Sequence, residues 1–207
     1  MKLDRRAFIR LIPIVAVAVA GGSWWFLRQT AEEPTMTSQA TMTNSGASQG
    51  TATTPEAFHF PVTWNGDRPT TVNSIDYRLR IDGDVSKPLE LTLKELYAMS
   101  NVQRTLEIRC VEGWAADVPW AGVTLSYLLS QAGALLKNIA SVRVEGITGY
   151  STTVSSDEIA DPDNMIALRA GGAPFTVEHG YPARLVLPAR FGLDWVKYVA
   201  RITCTNR

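Results

Sequence analysis

The strongest constraint on the fold is a rhythm of short alternating runs that begins at Tyr77 and continues to the end of the chain. In "YRLRIDGDV" (Tyr77–Val85) apolar and polar residues alternate and a glycine follows, which predicts a strand ending in a turn. "RTLEIRCV" (Arg104–Val111), "SVRVEGI" (Ser141–Ile147) and "YSTTVS" (Tyr150–Ser155) read the same way, the last two separated by Thr148-Gly149. "NMIALRAGG", "ARLVLPA" and "VKYVARITC" predict further strands. Helical signals are few and brief. Thr92–Met99 opens with Thr-x-x-Glu, a capping box. Thr124–Gly133 carries a Thr cap and a Gly stop. Ser155–Ala160 is one turn with acids at its start. Helices that only interrupt strands, without regular βαβ alternation, predict an α+β fold that is mostly β.

The first 57 residues follow a different rule. "MKLDRRAFIR" places Arg5 and Arg6 before Phe8, Ile9 and Arg10, and so resembles a twin-arginine export signal, with Asp4 where Ser or Thr is usual. Leu11–Leu27 then runs 17 residues without a charge and ends at Trp24 and Trp25. As a helix it would reach about 26 Å, marginal against a hydrocarbon core of about 30 Å. Residues 1–28 are thus expected to be a signal or a retained membrane anchor. Residues 29–57 are rich in Thr, Ser and Ala, with no Lys, Arg or aromatic residue. Such a stretch buries too little apolar surface to fold, and is expected to be a disordered linker. The folded domain is assigned to residues 58–207. It holds 15 basic and 16 acidic residues, and nothing in that balance points to a nucleic-acid partner.

Two cysteines, Cys110 and Cys204, carry the functional question. In an exported protein they can form a disulfide. Cys110 can equally be a buried core thiol. It also ends a predicted strand, has Arg109 beside it and Glu112 two residues on, and enters a segment of Gly, Trp and Pro that reads as a functional loop. No zinc spacing is present: there is no Cys-x-x-Cys, and His59 and His179 are far apart. One thiolate can complete the shell of a metal that an organic ligand already carries. The order Cys110 then His179 also permits nucleophilic chemistry, although no protease signature surrounds the cysteine.

Two longer motifs go further. "RCVEGWAADVPWAGVTLSYLL" and "LRAGGAPFTVEHGYPARLVLPARFGLDWVKYVARI" resemble the sulfite oxidase-like molybdopterin-binding domain, in the order that family uses, and the likeness extends over about Tyr77–Thr203. The resemblance implies a sulfite oxidase-type fold and a molybdenum-molybdopterin cofactor. It implies that Cys110 is the protein's sulfur ligand to the metal. It implies that His179 and Arg184 contact the pterin and its phosphate, with a backbone-and-lysine contact at Trp195, Val196 and Lys197. Trp114 and Trp120 are expected as core or pocket walls, Tyr150 as sheet packing at the pocket border, and Phe58–Thr63 as the candidate for the family's upstream contacts. The cationic residues suit a phosphate-bearing ligand, since Arg184 can grip it bidentately and Lys197 can act as a point charge.

Sulfite-oxidising members of that family place arginines around the metal, one of them shortly after the cysteine. Here Cys110 is followed by Val-Glu-Gly-Trp, with no arginine before Arg143. That pattern looks like the bacterial periplasmic branch that includes the catalytic subunit of a methionine-sulfoxide reductase, in which a Glu at the place of Glu112 lies near the metal. The implied activity is oxygen-atom transfer on a small, sulfur-containing substrate by an extracytoplasmic oxidoreductase. No haem motif or Cys cluster is present, so electrons are expected to pass through a membrane cytochrome or a periplasmic carrier. The competing reading is a molybdopterin-binding or electron-relay subunit that does not turn over.

Overall fold

The computed structural model describes Phe58, residues 60–64, Arg68 and residues 70–207; the expected signal or anchor and the linker lie outside these residues. Two five-stranded sheets carry the domain. The first contains β1 (Arg78–Gly83), β2 (Leu89–Thr92), β5 (Ile139–Gly146), β6 (Ser151–Ser155) and β10 (Val199–Asn206) in the order β2-β1-β10-β5-β6. The second contains β3 (Val102–Arg109), β4 (Ala115–Thr124), β7 (Met165–Ala170) and β8 (Ala173–Pro174) in that order, with β9 (Arg184–Val186) also on β7. All pairings are antiparallel except β1 with β10, which run parallel with Arg80 opposite Arg201.

Three short helices fill the gaps. α1 (Leu93–Met99) and α3 (Ser156–Ala160) start with complete capping boxes, Thr92 with Glu95 and Ser155 with Glu158. In each, the hydroxyl accepts the third helical N–H while the Glu carboxylate accepts the N–H of the cap residue, satisfying two otherwise orphaned donors. α2 (Leu125–Gln131) is capped by Thr124. Among the described residues no helix is long and apolar enough to cross a membrane. One continuous core takes side chains from both sheets and from α2, including Leu79, Ile81, Val142 and Val144 from one sheet, and Val118, Trp120 and Ile166 from the other.

The expected strands and helices are present, with three differences. β2 and the two-residue β8 are added, β2 paired along β1 from Arg78↔Thr92 to Ile81↔Leu89 and β8 on β7. The segment after Cys110, expected as a functional loop, is mostly strand: only residues 110–114 turn, and β4 follows for ten residues. Pro119 and Gly122 conceal it in the sequence. Pro119 opposes Thr105 on β3 and lies at the very end of the β7 ladder, where its carbonyl still accepts the Gly171 N–H at 2.8 Å and its missing N–H breaks no bond within the ladder. Gly122 marks a register shift, and any Cβ there would stand 2.1 Å from the Ile166 carbonyl oxygen. Finally, the last strand begins at Val199 rather than Val196. Tyr198 has φ +54°, a left-handed conformation that breaks an extended run.

Candidate functional site

Cys110 sits immediately after β3, in the turn that leads to β4. Its N–H donates to the Trp114 carbonyl at 2.8 Å, and Gly113 N–H donates back to the Cys110 carbonyl at 3.1 Å. This closes the turn and holds the thiol inward, 8% exposed. Cys204 is buried in β10, and both cysteines are free thiols. A Cys110–Cys204 disulfide is therefore not formed.

Neighbouring residues of an extended chain point to opposite faces. Arg109 accordingly turns outward, to Glu107 at 3.5 Å, the Pro188 carbonyl at 3.3 Å and the Phe191 ring at 5.6 Å. Its sequence position beside the thiol does not bring its charge there. Glu112 is exposed at the mouth of the turn; its main-chain N–H lies 3.5 Å from the Cys110 sulfur.

The second motif supplies the opposite wall. Arg184 opens β9 and is 4% exposed. One Nη donates to the His179 carbonyl at 3.1 Å, and the guanidinium lies 5.7 to 6.0 Å from the ring centres of Phe60, Trp120 and Trp195. Aromatic faces around a desolvated guanidinium stabilise its charge. Trp195 donates its indole N–H to the Leu187 carbonyl at 2.8 Å and packs edge-on to Trp120 at 5.5 Å, so it acts as a fixed wall. Lys197, 5% exposed, lies against Gly180, whose φ of +104° and lack of a side chain allow the lysine stem to approach.

A short segment ahead of β1, Phe60–Trp64, runs across these groups and touches nearly all of them. His179 Nε2 lies 2.9 Å from the Phe60 carbonyl, which can only accept, so this nitrogen carries a proton. The other ring nitrogen faces the Thr176 hydroxyl at 2.8 Å. Lys197 Nζ donates to the Thr63 carbonyl at 2.9 Å and stands 4.1 Å from the Trp64 ring centre. The Thr63 hydroxyl is 3.4 Å from the Cys110 sulfur and donates to Glu112 at 3.0 Å.

Thr63, Cys110, His179, Arg184, Trp195 and Lys197 line one narrow cleft. Of the residues expected from sequence, Cys110, His179, Arg184, Trp195 and Lys197 line it. Trp114 and Tyr150 line it too; Tyr150 donates its hydroxyl to the Leu193 carbonyl at 2.7 Å. Trp120 is core, behind Arg184. Glu112 stands at the rim, tied to the cleft through Thr63. Val196 does not line it: it is fully buried, and its carbonyl accepts the Leu185 N–H at 2.8 Å. Sequence reasoning missed Ile108, Thr63 as a contact to Cys110, and the Gly192–Leu193 turn.

The donor set is chemically specific. Among the described residues no group of three or more His, Cys, Asp or Glu side chains could hold an ion. One soft sulfur and two buried cations share the cleft instead. They fit a ligand that brings its own metal chelate, takes one sulfur from the protein, and carries anionic oxygens.

Comparison with known proteins points the same way. A family described as the oxidoreductase molybdopterin binding domain matches residues 65–207. A putative protein-methionine-sulfoxide reductase subunit, YedZ1, from Azospira oryzae is 29% identical over 149 residues, covering 72% of this chain and 56% of that protein. The protein-methionine-sulfoxide reductase catalytic subunit MsrP from Xanthomonas axonopodis pv. citri is 28% identical, covering 64% of this chain and 46% of the relative. The chain thus spans about half the length of these two relatives. An uncharacterized oxidoreductase of Bacillus subtilis, YuiH, is 28% identical, with coverage of 71% and 74%. Among solved structures, the sulfane dehydrogenase SoxCD from Paracoccus pantotrophus superposes with a TM-score of 0.62 at 30% identity, over 67% of this chain and 40% of that one.

Proposed function

The chain belongs to the oxidoreductase molybdopterin-binding domain family and has the sulfite oxidase-type fold, and from that premise we propose that it is an exported molybdenum-molybdopterin enzyme that moves an oxygen atom to or from a sulfur centre. One observation carries this reading. The thiol of Cys110, from the first motif, and the cations Arg184 and Lys197, from the second, converge on a single cleft although they are distant in sequence.

When bound, the cofactor supplies the redox change that accompanies oxygen-atom transfer. The chain supplies everything around it. Cys110 is the sulfur ligand, presented by the closed turn after β3. Arg184 and Lys197 receive the phosphate and the polar edge of the pterin. His179 borders that end and fixes the Arg184 guanidinium through its carbonyl. Trp195 and Trp114 form walls of the cleft.

The rim argues for the substrate class. Val62, Trp64, Val111, Phe191 and Leu193 are large apolar side chains, all exposed, on the segments that border the cleft. Glu112 stands at this rim with its carboxylate 3.0 Å from the Thr63 hydroxyl, which itself lies 3.4 Å from the Cys110 sulfur. An apolar rim with a carboxylate disfavours an oxyanion such as sulfite and favours a neutral sulfoxide on a larger molecule. The names of the Azospira and Xanthomonas relatives agree with that choice. The twin-arginine-like start supports an extracytoplasmic location, and electrons would come from a membrane cytochrome or a periplasmic carrier.

The test is metal analysis of the wild type and of Cys110→Ser, both recovered from the native export route, with turnover measured on peptide methionine sulfoxide and on sulfite. Expected are molybdenum near one per wild-type chain, its loss in the folded Ser variant, and preference for the sulfoxide. Wild-type protein without molybdenum, or full retention by Cys110→Ser, would overturn the assignment. Molybdenum without turnover on any sulfur substrate would point to the relay role.

A further inference from the structure

We propose that Thr63 is a positioning residue whose one hydroxyl proton is shared between Glu112 and the Cys110 sulfur, so that the two groups are coupled through it. The inference rests on the reading of Cys110 as a metal ligand. Three contacts hold Thr63 in place from outside the side chain: His179 on the Phe60 carbonyl, Lys197 on the Thr63 carbonyl, and the Trp64 ring against Lys197. A main chain fixed at both ends of this five-residue segment leaves the hydroxyl little freedom. It is directed at the Glu112 carboxylate at 3.0 Å and the Cys110 sulfur at 3.4 Å.

A hydroxyl has one proton to donate. A carboxylate and a metal-bound thiolate both only accept. The shorter contact to Glu112 takes the larger share of the proton, and the sulfur receives the remainder together with the Glu112 main-chain N–H at 3.5 Å. Hydrogen bonds to a ligating sulfur withdraw electron density from it and raise the potential of the metal it holds. Glu112 therefore acts on the sulfur by competing for the proton of Thr63. An amide in place of the carboxylate can itself donate to the Thr63 oxygen, which releases the hydroxyl proton toward sulfur.

The experiment is a double-mutant cycle read by redox titration of the molybdenum centre in loaded enzyme, with molybdenum content and the thermal midpoint as controls. Expected are a shift to lower potential in Thr63→Val, recovery in Thr63→Ser, and a shift to higher potential in Glu112→Gln. In the Thr63→Val background, Glu112→Gln should raise the potential by clearly less than it does in the wild type, because only the loss of its charge then acts. Equal shifts for Glu112→Gln in both backgrounds, or an unchanged potential in fully loaded Thr63→Val, would overturn the coupling. Wild-type protein without molybdenum would instead overturn the ligand assignment beneath it. A role confined to packing would lower the thermal midpoint without moving the potential.

Discussion

Replacing Gly180 by alanine separates backbone strain from the geometry of the cleft. The residue has φ +104°, and an added Cβ would stand 2.9 Å from the Lys197 Cβ and 3.1 Å from its Cγ. Holding alanine at that φ costs roughly 1 to 2 kcal/mol. The contact adds a further cost of about 1 kcal/mol, because the stem of Lys197 is buried and cannot swing aside as a surface side chain would. For a domain of this size each 1 kcal/mol lowers Tm by about 3 °C, so Gly180→Ala should melt roughly 6 to 9 °C early. Gly149 supplies the control. It has φ +85°, but no atom lies within 4 Å of its added Cβ, so Gly149→Ala should show the strain alone, roughly 3 to 6 °C. Calorimetry of both variants gives the difference, and metal analysis shows where it is felt. Relief in Gly180→Ala must come through Lys197, so that variant alone should lose molybdenum. Equal melting of the two variants with full cofactor in both would refute the placement of Lys197 against Gly180.

Acid should act in part through the Glu158–Arg190 ion pair. Hydrogen bonds from the Arg190 guanidinium at 2.6 Å, helped by Ser155, lower the Glu158 carboxyl from its ordinary 4.5 to about 2. A depressed folded value stabilises the protein above the unfolded value and is lost as pH falls from 4.5 toward 2. Glu158→Gln should therefore be less stable at pH 7, by about 1 to 2 kcal/mol after allowance for solvent screening. The gap should close toward pH 2 in urea titrations, and a gap constant with pH would exclude the pair as its source. Cys204 has its thiol pushed up to about 11 by burial, with Asp82 and Asp84 adding to the effect. It should resist alkylation at pH 8 in the folded chain and react only after unfolding; equal rates in both states would contradict its burial.

Much of the frame is readable in the sequence because its signals are local. The capping boxes at Thr92 and Ser155 use residues three apart, and they form as written. The alternation of "RTLEIR" forms a strand as written, within Val102–Arg109. What failed was nonlocal. β4 is hidden because Pro119 and Gly122 look like loop residues until their neighbours in the sheet are known. Arg109 adjoins Cys110 in the chain, but strand geometry sends its charge to the other face. The contacts of Phe60 and Thr63 to His179 and Lys197 run through main-chain carbonyls, which every residue carries, so no residue type announces them. The two motifs named the groups of the cleft; for the segment that crosses it, the sequence marks Phe58–Thr63 as a candidate for upstream contacts without a partner for any one residue.

The parallel pairing of β1 with β10 has a consequence for an unfinished chain. β10 lies between β1 and β5, so its absence splits that sheet into the β1–β2 and β5–β6 pairs. Each pair would then present a bare edge whose N–H and C=O groups are free to pair with another chain. Strand partners as far apart as residues 80 and 201 also meet slowly, because a long loop must close before any ladder bond rewards it. A product that stops short of Val199 therefore exposes two sticky edges at once, and every complete chain passes through the same exposure during synthesis. That interval, rather than any weakness of the finished sheet, is when the chain is most open to wrong pairing.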